Sequence, residues 1–274
     1  NAGKQEVAQN VSESGADVDG VVRLTARVLR VVAVTYFVSG FAALAYQVCW
    51  TRALSFGFDA LKSTTYSFSG MLVVFLVGLA LGSAILQRIV NRQENILRLY
   101  ALLQAGIGIT AGLSFFIILA PLAPFNELNP DSSLNYWYAV INVMYKTALA
   151  IGLPTLLMGM TFPVVTKLLV RSLRGIGSDV GRIYAINTCG AIAGSFAAGF
   201  ILIPLLGITK TIAVLAAVNL LQAAILLFIN NDIPPRSRTM IAVGCIAAAV
   251  IIPTRIALSG ARLQRIQVNE KIVH

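Results

Sequence analysis

The sequence is poor in the side chains that soluble enzymes use for chemistry. Its 274 residues include one histidine, His274, and three cysteines, Cys49, Cys189 and Cys245, which are far apart and form no CxxC motif. These residues cannot supply a histidine-based triad or a His/Cys metal site. We therefore predict no catalytic, cofactor-binding or metal-binding residue in this chain.

Charge is equally scarce. Only 12% of the residues are charged and 57% are hydrophobic, and the mean hydropathy is +0.81. This composition excludes a self-contained soluble enzyme. At about 20 apolar residues per crossing, it predicts an all-α, transporter-like, polytopic transmembrane helix bundle of about seven spans. The net charge of +10 is typical of loops that face anionic lipids, so the expected partner is the lipid bilayer and not nucleic acid.

Seven apolar segments define the predicted spans, which cover residues 29–50, 66–87, 97–120, 138–167, 184–206, 210–229 and 239–257. Residues 1–28 are predicted to form a flexible N-terminal tail, 29–258 the bundle, and 259–274 a polar C-terminal tail leading to a further domain. The fourth segment contains Pro154 and Pro163. It is interpreted as one kinked helix, with two re-entrant half-helices as the alternative.

Basic residues predict the orientation of the bundle. They cluster before span one, between spans two and three, between spans four and five, and between spans six and seven, at Arg23, Arg27, Arg30, Arg88, Arg92, Arg98, Lys167, Arg171, Arg174, Arg182, Arg236 and Arg238. All four regions fall on one side of the membrane. By the positive-inside rule that side is the cytoplasm, so the N-terminus is predicted to be cytoplasmic.

Polar residues inside the spans are few. No carboxylate lies within a predicted span, which disfavours ion-coupled transport of a cation. Lys146 is the one ionisable residue predicted to enter the core, where it either snorkels to the interface or contacts a substrate or lipid headgroup. Asn187 belongs to a group of polar residues expected to hydrogen-bond between helices or to line a polar cavity, with Gln104, Asn142, Thr188, Asn219 and Gln222.

Small residues are spaced for close helix contacts. Three GxxxG pairs lie within spans two, three and five: Gly78 and Gly82, Gly108 and Gly112, Gly190 and Gly194. Such faces pack helices within one bundle, join other membrane subunits or form a homo-oligomer. Spans two and five carry the similar runs GLALGS and GAIAGS and are predicted to cross in opposite directions. This similarity is either a trace of an inverted repeat or a coincidence in sequence rich in small residues.

Several ordered segments carry a family resemblance. They are SGFAALAYQVCWTRALS at 39–55, TTYSFSGMLVVFLVGLALGSAI at 64–85, LMGMTFPVVTKLLVR at 157–171 and GRIYAINTCGAIAGSFAAGFILIPLLG at 181–207. Together they resemble the membrane part of multi-spanning spermidine synthase-like proteins, which are bacterial fusions of a transporter-like bundle with an aminopropyltransferase domain. One position departs from the family pattern: Gln47 stands where glutamate is expected, which removes an ion pair with Arg52 at the outer end of span one.

The resemblance implies a cellular location and a function. It implies a bacterial inner membrane, and decarboxylated S-adenosylmethionine as the cofactor of a C-terminal catalytic domain that this chain does not contain. The expected function is therefore that of an anchor or scaffold for polyamine aminopropyl transfer. Two alternatives remain: an accessory subunit of a larger membrane complex, and a transporter-like module for polyamines or other small solutes.

Overall fold

The computed structural model describes residues 26–57, 64–119, 133–170, 176–230, 234, 236–237, 239–251 and 254. Within these residues the regular structure is entirely helical. The predicted tail over 1–25 and the C-terminal tail over 259–274 lie outside the described residues.

Seven helices make up the described chain. They are α1 (Ala26–Gly57), α2 (Thr64–Ile89), α3 (Ile96–Leu119), α4 (Ser133–Leu169), α5 (Ile176–Ala197), α6 (Ile203–Ile229) and α7 (Thr239–Ile251). A short 3₁₀ turn, Val90–Arg92, follows α2, and a π-helical segment, Ala198–Leu202, joins α5 to α6. α1 begins two residues before the predicted tail ends, and α4 begins five residues before the predicted span.

The predicted count of about seven spans is not confirmed. In the described residues, five helical stretches are long and apolar enough to cross a membrane, and the last of them, Ile176–Ile229, covers 54 residues. This stretch contains the predicted fifth and sixth spans, and its helical geometry is interrupted between them, at Gly207. α7 is shorter than the other helices. Helices of this length and composition are those of an integral membrane protein.

Two local features shape the longest helices. α4 is one helix that contains both Pro154 and Pro163, as predicted, and the alternative of two half-helices is wrong. In α6, Gly207 has a φ of 80° and a ψ of 166°, so helical geometry is interrupted there. Only glycine adopts this backbone conformation at little cost.

The α2 and α4 helices pack side by side in the same direction. A Cβ atom on Gly78 would overlap the Thr155 side chain, and one on Gly82 would overlap the carbonyl oxygen of Leu156. The backbones touch here because glycine has no side chain to separate them.

A second parallel pair is formed by α1 and α5. A Cβ atom on Gly190 would overlap the carbonyl oxygen of Phe37, and one on Gly194 would overlap that of Phe41. Two of the three GxxxG pairs of the sequence, Gly78 with Gly82 and Gly190 with Gly194, therefore serve two different helix pairs within one chain.

The third major pair, α3 with α6, is antiparallel. Asn95 Oδ1 accepts a 2.9 Å hydrogen bond from Asn230 Nδ2 where α3 begins and α6 ends. Halfway along, a Cβ atom on Gly108 would lie 2.9 Å from the carbonyl oxygen of Ala216. The Trp50 indole N–H of α1 donates a hydrogen bond to Ser114 of α3, and both residues lie toward the C-terminal ends of their helices. α1 and α3 are therefore parallel. The chain therefore reverses direction between α5 and α6, at about Gly207.

The interior consists of two apolar clusters stacked along the helices. One includes Val32, Val90, Leu97, Leu168 and Leu227, and the other Ala45, Leu54, Ile107, Ile151 and Leu215. Where α1, α3, α4 and α6 pass from one cluster to the other, buried polar residues intervene, at Ser39, Gln104, Thr161, Asn219 and Gln222. These five residues are called the polar layer.

Candidate functional site

The site begins with a chain of hydrogen bonds that links three helices. The Trp50 indole N–H of α1 donates to Ser114 Oγ of α3 at 2.9 Å. The Tyr46 ring stacks on the Trp50 ring with 5.2 Å between centroids, and the Tyr46 hydroxyl accepts a 3.3 Å bond from Asn219 Nδ2 of α6. All four side chains are buried, so this chain fixes α1 against both α3 and α6.

Tyr46 and Trp50 lie inside the bundle although they are close to the end of the first predicted span. Tyrosine and tryptophan at such positions are often in contact with lipid headgroups, but both side chains are fully buried here. The physical reason is that Ser114 and Asn219 supply internal partners for the indole N–H and the phenol hydroxyl. Sequence alone does not show that these two residues face α1.

The chain of bonds continues into the polar layer and stops there. Gln222 Nε2 donates to Asn219 Oδ1 at 3.1 Å, but Gln222 Oε1 has no hydrogen-bond partner. Gln104 is 0% exposed, and neither its Oε1 nor its Nε2 is hydrogen-bonded. The Tyr100 hydroxyl lies beside Thr35 and Gln104, but outside hydrogen-bond geometry with either.

These four unpaired atoms stand out because buried polar groups in folded proteins nearly always have a partner. They belong to Tyr100 and Gln104 of α3 and Gln222 of α6. These three residues are called the amide site. It presents two amide oxygens, one amide N–H₂ group and one hydroxyl, and the buried polar side chains of the described chain are all uncharged.

Gln104 and Gln222 were among the predicted polar residues, whereas the other candidates, Lys146, Arg52, Gln47 and Asn187, are not part of the amide site. Lys146 is half-buried on α4, and Arg52 is exposed on α1. Gln47 is half-buried, and its carbonyl oxygen accepts a 2.9 Å bond from Thr51 Oγ1. Asn187 is half-buried on α5, and a Cβ atom on Gly40 would lie 2.6 Å from its Oδ1. Asn187 therefore lies in the α1/α5 contact.

The predicted packing glycines are buried or in close contact. Gly78 and Gly82 touch α4, Gly190 and Gly194 touch α1, and Gly108 touches α6; Gly112 is buried. Because these faces are occupied within the chain, they are not free for a partner subunit or for homo-oligomer contacts.

One end of the bundle carries interactions that sequence reasoning did not identify. Lys167 Nζ of α4 donates to the carbonyl oxygen of Val90 after α2, at 2.8 Å. Asn95 Oδ1 also accepts the Arg98 backbone N–H at 2.9 Å and thereby caps α3. A lysine in the last turn of a helix is a recognisable sequence signal for a bond to a carbonyl oxygen. The sequence does not show that Lys167 bonds Val90, because this contact depends on the pairing of α2 with α4.

Comparisons with protein-family models, curated proteins and solved structures give no match. Within the described residues, no group of three or more His, Cys, Asp or Glu side chains is placed to hold a metal ion. The molecule is thus defined by its own structure as an all-helical integral membrane protein with a buried, uncharged polar layer.

Proposed function

We propose that this chain is the membrane domain of a spermidine synthase-like protein and serves as a rigid anchor and scaffold for aminopropyl transfer. The observation that carries the proposal is that the resembling segments coincide with the closest helix contacts. Gly40, Gly78, Gly159 and Gly190 each belong to one of those segments and each lie against a neighbouring helix. These motifs therefore have an architectural role.

The proposed topology has seven crossings, with the N-terminus in the cytoplasm of a bacterial cell. The helical stretch Ile176–Ile229 would be about 80 Å long if it were straight, far more than the ~30 Å hydrocarbon core. Because the chain reverses direction at Gly207, this stretch supplies the fifth and sixth crossings, and α7 supplies the seventh. Most of the exposed basic residues lie at the end of the bundle where α1, α3 and α5 begin and α2 and α4 end, at Arg27, Arg30, Arg88, Arg92, Arg98, Lys167 and Arg182. Arg52 and Lys210 lie at the opposite end. This basic end supports the orientation.

Binding of decarboxylated S-adenosylmethionine by the full-length gene product tests the proposal. We expect binding both with and without residues 26–254, but membrane association only when those residues are present. Absence of binding in both forms would contradict the aminopropyltransferase assignment. Membrane association of the shortened form would contradict the anchor role.

A transporter-like module for polyamines or other small solutes is the second candidate. The polar layer favours it, because solute sites in transporters lie near the membrane midplane. Uptake of labelled solute into proteoliposomes tests this candidate, and rates equal to those of protein-free vesicles would contradict it. An accessory role in a larger membrane complex would require surfaces other than the glycine faces.

A further inference from the structure

The connection between α2 and α3 is a fixed part of the basic end. Residues on both sides of it are buried in one apolar cluster, namely Leu86, Val90, Ile96 and Leu97. Lys167 Nζ of α4 donates to the Val90 carbonyl oxygen at 2.8 Å, and Asn95 Oδ1 accepts a bond from Asn230 of α6. The connection is therefore held by two further helices. Residues 88–98 are called the arginine turn.

The arginine turn carries positive charge that the fold does not use. Arg88, Arg92 and Arg98 are all exposed. Among the described residues, their guanidinium groups make no hydrogen bond or ion pair. One acidic residue of the turn, Glu94, is also exposed, so the turn is net positive. Three guanidinium groups on a fixed support are thus available to a partner outside the chain.

The position of Arg98 indicates that this partner is an anion. Arg98 lies in the first turn of α3, where Asn95 Oδ1 accepts its backbone N–H at 2.9 Å. The positive end of the helix dipole lies there, so a cation at this position does not stabilise the helix. A phosphate group beside Arg98 would be favoured both by the dipole and by charge-assisted hydrogen bonds from the guanidinium group.

The surface next to the arginine turn is apolar and faces lipid. Leu81, Ile85 and Arg88 follow one another at intervals of four and three residues, so they share one face of α2. Leu81 is 51% exposed and Ile85 is 42% exposed. An anion that carries acyl chains would place the chains along this face and its headgroup on the arginine turn. A soluble anion would use only the arginines.

We propose that the arginine turn binds the headgroup of an anionic phospholipid with two phosphates, with an acyl chain against Leu81 and Ile85. A guanidinium group donates two parallel hydrogen bonds to one phosphate, so three such groups suit a headgroup with two phosphates better than one with a single phosphate. The proposal rests neither on the anchor role nor on the orientation of the bundle. Loss of transferase activity and loss of lipid binding are therefore separate results.

Titration of purified protein with defined lipids tests the proposal. The protein is held in a neutral detergent, and bound lipid is measured by native mass spectrometry. Cardiolipin has two phosphates, phosphatidylglycerol has one, phosphatidylcholine has no net charge, and glycerol phosphate lacks acyl chains. We expect cardiolipin to bind roughly tenfold or more tightly than phosphatidylcholine, with phosphatidylglycerol between them. Glycerol phosphate should not saturate, and salt should weaken the binding of cardiolipin.

Variants locate the bound lipid. Arg88→Gln with Arg92→Gln should weaken cardiolipin binding by roughly tenfold or more. Arg52→Gln with Lys210→Gln is the matched control, because it removes the same charge from exposed residues at the opposite end and should leave the affinity unchanged. Glu94→Gln removes a repulsive carboxylate and should tighten binding by roughly two- to fivefold, a gain that a purely structural role of the turn would not produce.

Several results would overturn the proposal. Equal affinity for cardiolipin and phosphatidylcholine would exclude a charged site, equal affinity for cardiolipin and phosphatidylglycerol would exclude the requirement for two phosphates, and saturable binding of glycerol phosphate with the same affinity would indicate a soluble anion. Equal losses in the arginine pair and in its control pair would place the lipid elsewhere. If the arginine variants do not fold, Glu94→Gln decides, and an unchanged affinity in that variant contradicts the site.

Discussion

Single glycines determine how closely the helices of this bundle approach. At Gly78, Gly82, Gly190 and Gly194 a side chain would collide with a neighbouring helix, whereas nothing lies within 4 Å of the Cβ position on Gly152. A GxxxG motif in the sequence predicts a close contact without naming the partner. The pairing of α2 with α4 and of α5 with α1 required the folded chain, because each contact joins residues far apart in sequence.

The clearest consequence concerns Gly82. Gly82→Ala places a methyl group against the Leu156 carbonyl, so we expect a loss of about 1–3 kcal/mol through overpacking. Gly152→Ala, in the helix that Gly82 contacts, should instead be neutral or stabilising by up to ~1 kcal/mol, because alanine favours helix. Thermal unfolding in detergent measures both changes. A similar melting temperature for the two variants would contradict the contact.

The buried bond between Trp50 and Ser114 gives a second prediction. Ser114→Ala leaves the indole N–H unpaired in an apolar interior, and we expect a loss of about 1–3 kcal/mol. Trp50→Phe with Ser114→Ala removes both bonding groups, so the two effects should not be additive. A double-mutant cycle based on thermal unfolding measures the coupling. Strict additivity would show that the bond does not contribute.

At the scale of the helix, apolar length predicted where the elements lie, and local geometry determined where they join. The apolar runs predicted both ends of α2 and α3 to within two residues, but α5 begins eight residues before the predicted fifth span. They did not predict that hydrogen bonding continues from α5 into α6 through a π-helical segment. Likewise, Gln104 and Gln222 were identifiable as polar residues within spans, but that Gln104 lies beside Tyr100 and Gln222 bonds Asn219 is seen only in the folded chain.

The chain reverses direction at about Gly207. Because its φ is 80°, Gly207→Ala should destabilise the protein by about 1–2 kcal/mol, and Gly207→Asn should cost less. Gly199→Ala is the matched control, because it also has open space at the Cβ position without positive φ. Equal melting temperatures for the alanine variants at 199 and 207 would rule out a conformational requirement at Gly207.

At the scale of the whole molecule, the basic end predicts how the protein sits in the membrane. In a background lacking Cys49, Cys189 and Cys245, single cysteines replace Arg27 at the basic end and Lys210 at the opposite end. A membrane-impermeant maleimide applied to intact cells should label position 210 and leave position 27 unlabelled until the cells are opened. Labelling of position 27 in intact cells would reverse the proposed orientation.

The interlocked pairing of α1 with α5 and of α2 with α4 also governs how the protein is made. Gly40 meets Asn187, so α1 enters the bilayer roughly 150 residues before its closest neighbour is synthesised. At ordinary elongation rates this delay is roughly 8–30 s. During that interval the face of α1 around Gly40 lacks its partner helix in the nascent chain, and the face of α2 around Gly78 lacks Thr155 of α4 for roughly half as long. We therefore expect insertion of this bundle to require machinery that shields α1 and α2 until α4 and α5 are made.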